Sequence, residues 1–393
     1  MPETLATLTN LRNQLLDTVA PSAIRSFDNQ ISSIPGIIKL TLGEPDFNVP
    51  EHVKAAAIKS IEENDSHYAP ASGKPELRQA ISDYLKDSRG VTYNPADEVL
   101  VTVGATESLA SITYGILNPG DKVLVPTPAF SLYFALVKMA GAEPVMIDTS
   151  NDGFQLTAQR LEAEIEAAGD QVKAVLLNYP NNPTGRTFTK TELEDLAAVL
   201  KKHELLVIAD EIYSDLTYDQ DHYSLATLLP EQTLLVSGLS KSHAMTGYRM
   251  GYVAGPAGIM RSVAQIHSYL VVCVNDATQA AAVEALNNGR EDPLVFKKAY
   301  KKRRDYIIEK MTKMGFQIAT PQGAFYVFAK IPDQFGKDDF KFALDVAKQA
   351  QVGLIPGSVF GAGSDGYVRL SYAASDENIK VAMERLATYM EKF

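Results

Sequence analysis

Between residues 98 and 241 short β-branched or apolar runs alternate with Gly-, Pro- and Asn-containing loops and with stretches of helical period. That alternation predicts an α/β unit, a parallel sheet with crossover helices. The runs fall at 98–103, 122–125, 143–148, 173–178, 205–210 and 233–237. The crossover before residue 205 carries the sharpest helix signal. Thr189 can cap it, Glu192 stands three residues on as in a capping box, and Leu193, Leu196, Ala197 and Leu200 share one face. After Asn287-Asn288-Gly289 the rhythm changes to a long helical segment at 293–314, short strands at 324–329 and 367–372, and helices near 340–349 and 376–390. This reads as a second, α+β unit. The first stretch, to about residue 45, is too short to fold alone and is expected to pack on one of the other two.

The chain has 393 residues, enough for two or three domains. With 46% hydrophobic and 22% charged residues it can bury a large core unaided by disulfides or structural metal. Its one cysteine, Cys273, has no intrachain partner, and six histidines scattered from His52 to His267 show no zinc-type spacing. A reducing, cytoplasmic setting is expected. A net charge of −11 argues against nucleic-acid binding. The one basic cluster, Lys297, Lys298, Lys301, Lys302, Arg303 and Arg304, is interleaved with Tyr300, Tyr306, Ile307 and Ile308 and reads as a solvated helix face. No apolar run approaches the ~18 residues that span a bilayer. The start, with Glu3 early, lacks the basic-then-apolar pattern of a signal peptide.

In open α/β sheets ligands bind at the carboxyl ends of the strands. The run 98–103 leads into Gly104-Ala105-Thr106-Glu107 and a helical stretch, where free backbone N–H groups could meet an anion. Such a turn is also ordinary structure. The run 173–178 leads into Asn178-Tyr179-Pro180-Asn181-Asn182-Pro183-Thr184-Gly185, a rigid turn that either aims an amide at a ligand or closes an Asx turn. The next ends in Asp210-Glu211-Ile212-Tyr213, a delivered carboxylate or a helix cap. The last ends in Ser237-Gly238-Leu239-Ser240-Lys241, with Gly247-Tyr248-Arg249 following. A lone lysine there would be a solvated charge. Together, an anion site, Asn, Asp, Tyr, Lys and Arg on one sheet edge form the inventory of a pyridoxal phosphate site. A desolvated lysine amine can attack the aldehyde, and a carboxylate can keep the pyridine nitrogen protonated. Phe130, in Pro126-Thr127-Pro128-Ala129-Phe130, can stack on the ring.

Over nearly its whole length the sequence resembles the class I/II aminotransferases, the fold-type I pyridoxal phosphate enzymes. The resemblance is carried by Asn182-Pro183-Thr184-Gly185, by Asp210-Glu211-Ile212-Tyr213, and by Lys241 with Arg249 eight residues on. It implies that Lys241 forms the Schiff base and shuttles the α-proton, that Asp210 holds the pyridinium, and that Tyr213 and Asn182 bond the ring oxygen. Arg249, the Ala105 and Thr106 amides and the Thr106 hydroxyl would bind phosphate. Arg369, in Tyr367-Val368-Arg369-Leu370-Ser371-Tyr372, matches the arginine that grips the α-carboxylate, a task for a bidentate donor. Gly43 matches a substrate-contacting turn. Tyr68 matches the tyrosine that reaches the neighbouring subunit's phosphate, which implies a homodimer with shared sites. The implied division is a large cofactor domain at 46–288 and a small α+β domain from 1–45 and 289–393.

The chain departs from the family pattern at Gly238, where many members carry a phosphate-contacting Ser or Thr; Ser237 or Ser240 is the expected substitute. Phe130 stands where aspartate-specific relatives often have Trp, and Thr106 where some have a Lys that holds dicarboxylates. The motifs offer no clear second cation for a side-chain carboxylate. Glu211-Ile212-Tyr213-Ser214-Asp215-Leu216-Thr217-Tyr218 and Leu239-Ser240-Lys241-Ser242-His243 are similar to the bacterial aromatic and N-acetyl-diaminopimelate aminotransferases. The implied activity is ping-pong transfer of an amino group from an aromatic or large neutral amino acid to 2-oxoglutarate. The alternatives are an N-acetyl-diaminopimelate or aspartate aminotransferase, or a carbon–sulfur β-lyase using the same cofactor. A regulator with an upstream helix-turn-helix has no room before Gly43. A dehydrogenase lacks its Gly-x-Gly-x-x-Gly turn and leaves Lys241 and Asp210 unexplained.

Overall fold

The computed structural model describes residues 3–8, 11 and 13–393. The leader reading falls partly on Met1, Pro2, Thr9, Asn10 and Arg12, which lie outside the described residues.

Among the described residues the strands form three sheets. The largest has seven strands in the order Val99–Val103, Met250–Ala254, Thr233–Gly238, Leu206–Asp210, Val172–Asn178, Lys122–Thr127 and Glu143–Asp148. The last five run parallel to one another. Every residue of Thr233–Gly238 and Met250–Ala254 is buried, as expected for central strands covered on both faces by helices. Helix Gly104–Ile116 packs against Ala257–Leu270, and Asp276–Asn288 against Glu51–Glu62 and Pro75–Arg89. The crossover helix is Lys190–Lys202, and its capping box forms between Thr189 and Glu192 as the pattern predicts.

A four-stranded antiparallel sheet follows, ordered Ile355–Pro356, Tyr367–Ser371, Tyr326–Lys330 and Gln317–Ile318. Helices Asp292–Lys313, Asp339–Ala350 and Asp376–Met390 accompany it. One apolar cluster joins Ile24, Phe27, Ile31 and Leu40 near the start of the chain to Phe325, Tyr326, Leu370 and Tyr372, and it also takes in Tyr213. Ile38–Lys39 pairs in parallel with Val352–Gly353, which ties the same early segment to the later one. No helix among the described residues is long and apolar enough to cross a membrane.

Two expectations are corrected. Among the described residues the strand at Val99–Val103 has no parallel hydrogen-bonded neighbour; it pairs antiparallel with Met250–Ala254, a strand the periodicity does not announce. The basic cluster is only half solvated. Arg303 and Arg304 are buried, Arg303 paired with Asp46 and Asp376 and Arg304 with Asp219 and Asp305. Those acids come mostly from distant parts of the chain, so the helix pattern alone could not show them.

Candidate active site

Sheet register gathers the chemistry. Asn178 lies opposite Asp210 on adjacent parallel strands, and the next strand over ends at Gly238, three residues before Lys241. The Asn178 amide donates to the Asp210 carbonyl at 3.0 Å, and its oxygen accepts the Asn182 N–H at 2.8 Å. One side chain thereby fixes Asn182 relative to Asp210.

At the neighbouring edge, helix Gly104–Ile116 begins directly after its strand, so the Ala105 and Thr106 amides lie in its first turn. Gly104 has φ +73°, and a Cβ there would lie 2.5 Å from Arg249 Nη2. A Cβ on Gly251 would lie 2.4 Å from the Ala105 nitrogen. Glycine at both positions lets the guanidinium and the adjacent strand close on the helix start. Arg249 Nη1 donates to the Thr246 carbonyl at 2.9 Å. Gly238 has its own reason to be glycine: a Cβ would meet the Met250 carbonyl at 2.6 Å. Of the two serines proposed to substitute for it, Ser240 lines the cleft, whereas the buried Ser237 hydroxyl donates to the Glu211 carbonyl at 3.4 Å.

Lys241 Nζ donates to the Gly43 carbonyl at 2.7 Å. Burial lowers its pKa from 10.5 to about 8; Arg249 and Arg369 push the same way, and Glu44 and Asp210 oppose them. About a tenth is therefore the nucleophilic free amine at pH 7, far more than an unperturbed lysine offers. Asp210 behaves in the opposite sense. Burial raises its pKa from 3.8 to about 6, against the hydrogen bonds from the Tyr133 hydroxyl at 2.8 Å and the Ile212 N–H at 3.2 Å. It is a carboxylate held where a cationic partner would relieve it.

Tyr213 and Tyr326 hydroxyls meet at 2.8 Å. Arg369 lies over the Tyr326 ring at 4.6 Å and the Phe360 ring at 5.0 Å. Its Nη1 donates to Asn182 Oδ1 at 2.8 Å, its Nη2 donates to the Thr41 carbonyl, and its buried Nε has no hydrogen-bond partner among the described residues. Burial lowers the Arg369 pKa, yet a guanidinium stays charged. A buried cation with an unpaired donor suits a carboxylate ligand.

The ligand-facing members of this set open on one cleft of about 660 Å³. It is lined by Gly43, Ala105, Thr106, Phe130, Asn182 and Asp210, and by Tyr213, Ser240, Lys241, Arg249 and Arg369. Tyr68 is elsewhere, 86% exposed. The sequence reading missed Tyr133 and Tyr326, although a tyrosine inside an apolar run calls for a polar partner. It also missed Glu44 and Arg25. Arg25 corrects the expectation that no second cation is at hand: it lines the same cleft from helix Ala23–Ile31. No local pattern marks it, because only the packing of the early segment brings it there.

A family model for aminotransferase class I and II matches residues 35–386. The chain is 42% identical to a probable N-acetyl-LL-diaminopimelate aminotransferase of Bacillus subtilis, over 98% of this chain and 96% of that one. It is 34% identical to aromatic-amino-acid aminotransferase 2 of Thermococcus litoralis, over 96% of this chain and 97% of the other. Among solved structures, the aspartate aminotransferase of Thermus thermophilus with maleate superposes with a TM-score of 0.90 at 35% identity, covering 96% of this chain and 99% of that one.

Proposed function

The chain belongs to the class I and II aminotransferases, pyridoxal phosphate-dependent enzymes that use amino acid and 2-oxo acid substrates, and from that premise we propose that it transfers an amino group from an aromatic or large neutral amino acid to 2-oxoglutarate by a ping-pong mechanism. The donor set of the cleft fits the cofactor. In this reading Arg249, the Ala105 and Thr106 amides, the Thr106 hydroxyl and Ser240 hold its phosphate. Asp210 faces the ring nitrogen, Asn182 and Tyr213 the ring oxygen, and Phe130 the open ring face. When bound, the cofactor supplies an electron sink for the carbanion at the substrate α-carbon.

The chain's own groups do the rest. Lys241, its amine pKa lowered by burial to about 8, would attach the cofactor and then carry the proton between the substrate α-carbon and the cofactor's C4′. Asp210 keeps a proton on the ring nitrogen by offering it a buried anion. Arg369 fixes the α-carboxylate with two parallel donors, which sets the α C–H bond toward Lys241. Tyr133 holds the Asp210 carboxylate in place. We propose a homodimer in which Tyr68, exposed and outside its own cleft, reaches the phosphate of the other subunit's site.

The observation that supports the donor choice is the apolar part of the cleft wall, Ile24, Leu42, Leu109, Phe130 and Leu132, together with an uncharged Thr106 at the helix start. Mixing the loaded enzyme with single amino acids tests it. Phenylalanine and tyrosine are expected to bleach the cofactor absorption in a stopped-flow trace. A trace unmoved by both and bleached by aspartate would overturn the donor reading.

A further inference from the structure

Four cations line the cleft, Arg25, Lys241, Arg249 and Arg369, against two carboxylates, Glu44 and Asp210. Three of the cations have work in the proposed reaction: Lys241 attaches the cofactor, Arg249 meets its phosphate and Arg369 meets the α-carboxylate. Arg25 is left over. We infer that Arg25 binds the side-chain carboxylate of the dicarboxylic substrate pair, 2-oxoglutarate and glutamate, and thereby sets acceptor specificity. The inference rests on the aminotransferase reading above and names the group that would recognise its acceptor.

Several observations converge on Arg25. Its backbone is anchored: Ser22 Oγ accepts the Arg25 N–H at 3.4 Å, and the helix is held by its buried residues Phe27 and Ile31. Its guanidinium is uncommitted, with no hydrogen bond or ion pair to any of the described residues. The acid one turn along its own helix, Asp28, cannot neutralise it. Asp28 is buried and already accepts from Lys39 Nζ at 3.0 Å and from the Thr41 hydroxyl. Of the cleft's own carboxylates, Asp210 is assigned to the cofactor and Glu44 accepts the Thr246 hydroxyl at 2.6 Å. An anchored arginine at the mouth of a site, with its planar fork unused, is suited to bidentate capture of a carboxylate. Because it stands at the exposed rim, the captured group keeps part of its hydration and the effect is moderate.

The test is Arg25→Gln, which keeps the length and removes the charge, with Arg25→Lys as the conservative partner. Acceptor specificity is read as the ratio of kcat/KM for 2-oxoglutarate to that for pyruvate, which has no side-chain carboxylate. The ratio is expected to fall about tenfold in Arg25→Gln, through KM, and to recover in part in Arg25→Lys. A ratio that stays constant, whether both acceptors suffer equally or neither does, overturns the inference. A calorimetric titration of the loaded enzyme with glutarate and with butyrate reads binding without turnover. Arg25→Gln is expected to weaken glutarate about tenfold and to leave butyrate within twofold; equal effects on both ligands overturn the inference. If the wild type transfers no amine to any 2-oxo acid, the acceptor reading fails on its own, and the glutarate titration still decides the role of Arg25.

Discussion

Asp210→Asn should stabilise the cofactor-free protein at neutral pH while disabling it as an enzyme. Folded Asp210 keeps its proton up to about pH 6 because it is buried, whereas the unfolded chain releases it near 3.8. The folded pKa is the raised one, so this group's contribution is fully present below about pH 3.8 and is lost as pH rises through about 6. At about 1.4 kcal/mol per pH unit, the gap between 3.8 and about 6 amounts to a penalty of roughly 3 kcal/mol at pH 7.5. Asparagine carries no such penalty. It can accept the Ile212 N–H and turn its amide to the Tyr133 oxygen, which accepts as readily as it donates. With an unfolding entropy of roughly 2 cal/mol/K per residue, 3 kcal/mol raises the melting temperature of a chain of this size by about 4 °C. Calorimetry of the two apo proteins from pH 4 to 8 measures it. The gap should be widest above pH 7, about half as large at pH 5 and nearly closed at pH 4. Saturating pyridoxal phosphate should reverse the order, since the wild type alone offers the ring nitrogen an anion. An apo Asp210→Asn protein that melts at or below the wild type at pH 7.5, or a gap that does not change with pH, would refute the reasoning.

Two shorter predictions follow from neighbouring groups. Only the free amine of Lys241 attacks an aldehyde, so the rate of cofactor loading onto apo protein should rise with pH and level off with a midpoint near 8; a midpoint above 10 in stopped-flow absorbance would mean that burial does not lower this amine. Glu211 is fully buried and accepts from Tyr179 at 2.9 Å, Ser224 at 2.5 Å and His222 at 2.9 Å, with Arg89 at 3.5 Å, so Glu211→Gln removes a charge from a closed network. The expected loss is about 3–5 kcal/mol, or about 4–6 °C in melting temperature, and an unchanged melting point would show that Asp215 alone neutralises Arg89.

The strand ends were legible because their chemistry is contiguous with the runs that build them. Asn178, Asp210 and the segment ending in Lys241 each follow an apolar run directly, and parallel register puts all three on one edge. Groups that arrive by tertiary packing were not legible. Met250–Ala254 is five residues with a glycine inside, and what makes it a strand is its antiparallel pairing on both sides. Arg303 and Arg304 sit in a charge run that in isolation is a solvated face, and acids such as Asp46, Asp219 and Asp376 bury them. Arg25 carries no signal at all, since its place in the cleft depends on where the early segment docks.

Asp210 and Glu211 show the same limit at its sharpest. They are adjacent carboxylates at the end of one strand, and nothing in their order says which one serves a ligand. Successive side chains of an extended backbone point to opposite faces. Asp210 therefore turns into the cleft, where burial raises its pKa, while Glu211 is buried away from it among Tyr179, Ser224, His222 and Arg89. Burial pushes Glu211 up as well, but His222 and Arg89 outweigh it and hold the carboxyl below its usual range. The protein sets cations directly against one charge and leaves the other with only Lys241 nearby, too weak to offset its burial. That asymmetry is what gives the two substitutions opposite expected effects on the apo protein: Glu211→Gln removes a satisfied anion and costs stability, while Asp210→Asn removes an unsatisfied one and adds it. Both substitutions delete a single buried negative charge one residue apart, so opposite shifts in melting temperature can come only from the partners each carboxylate has in the fold.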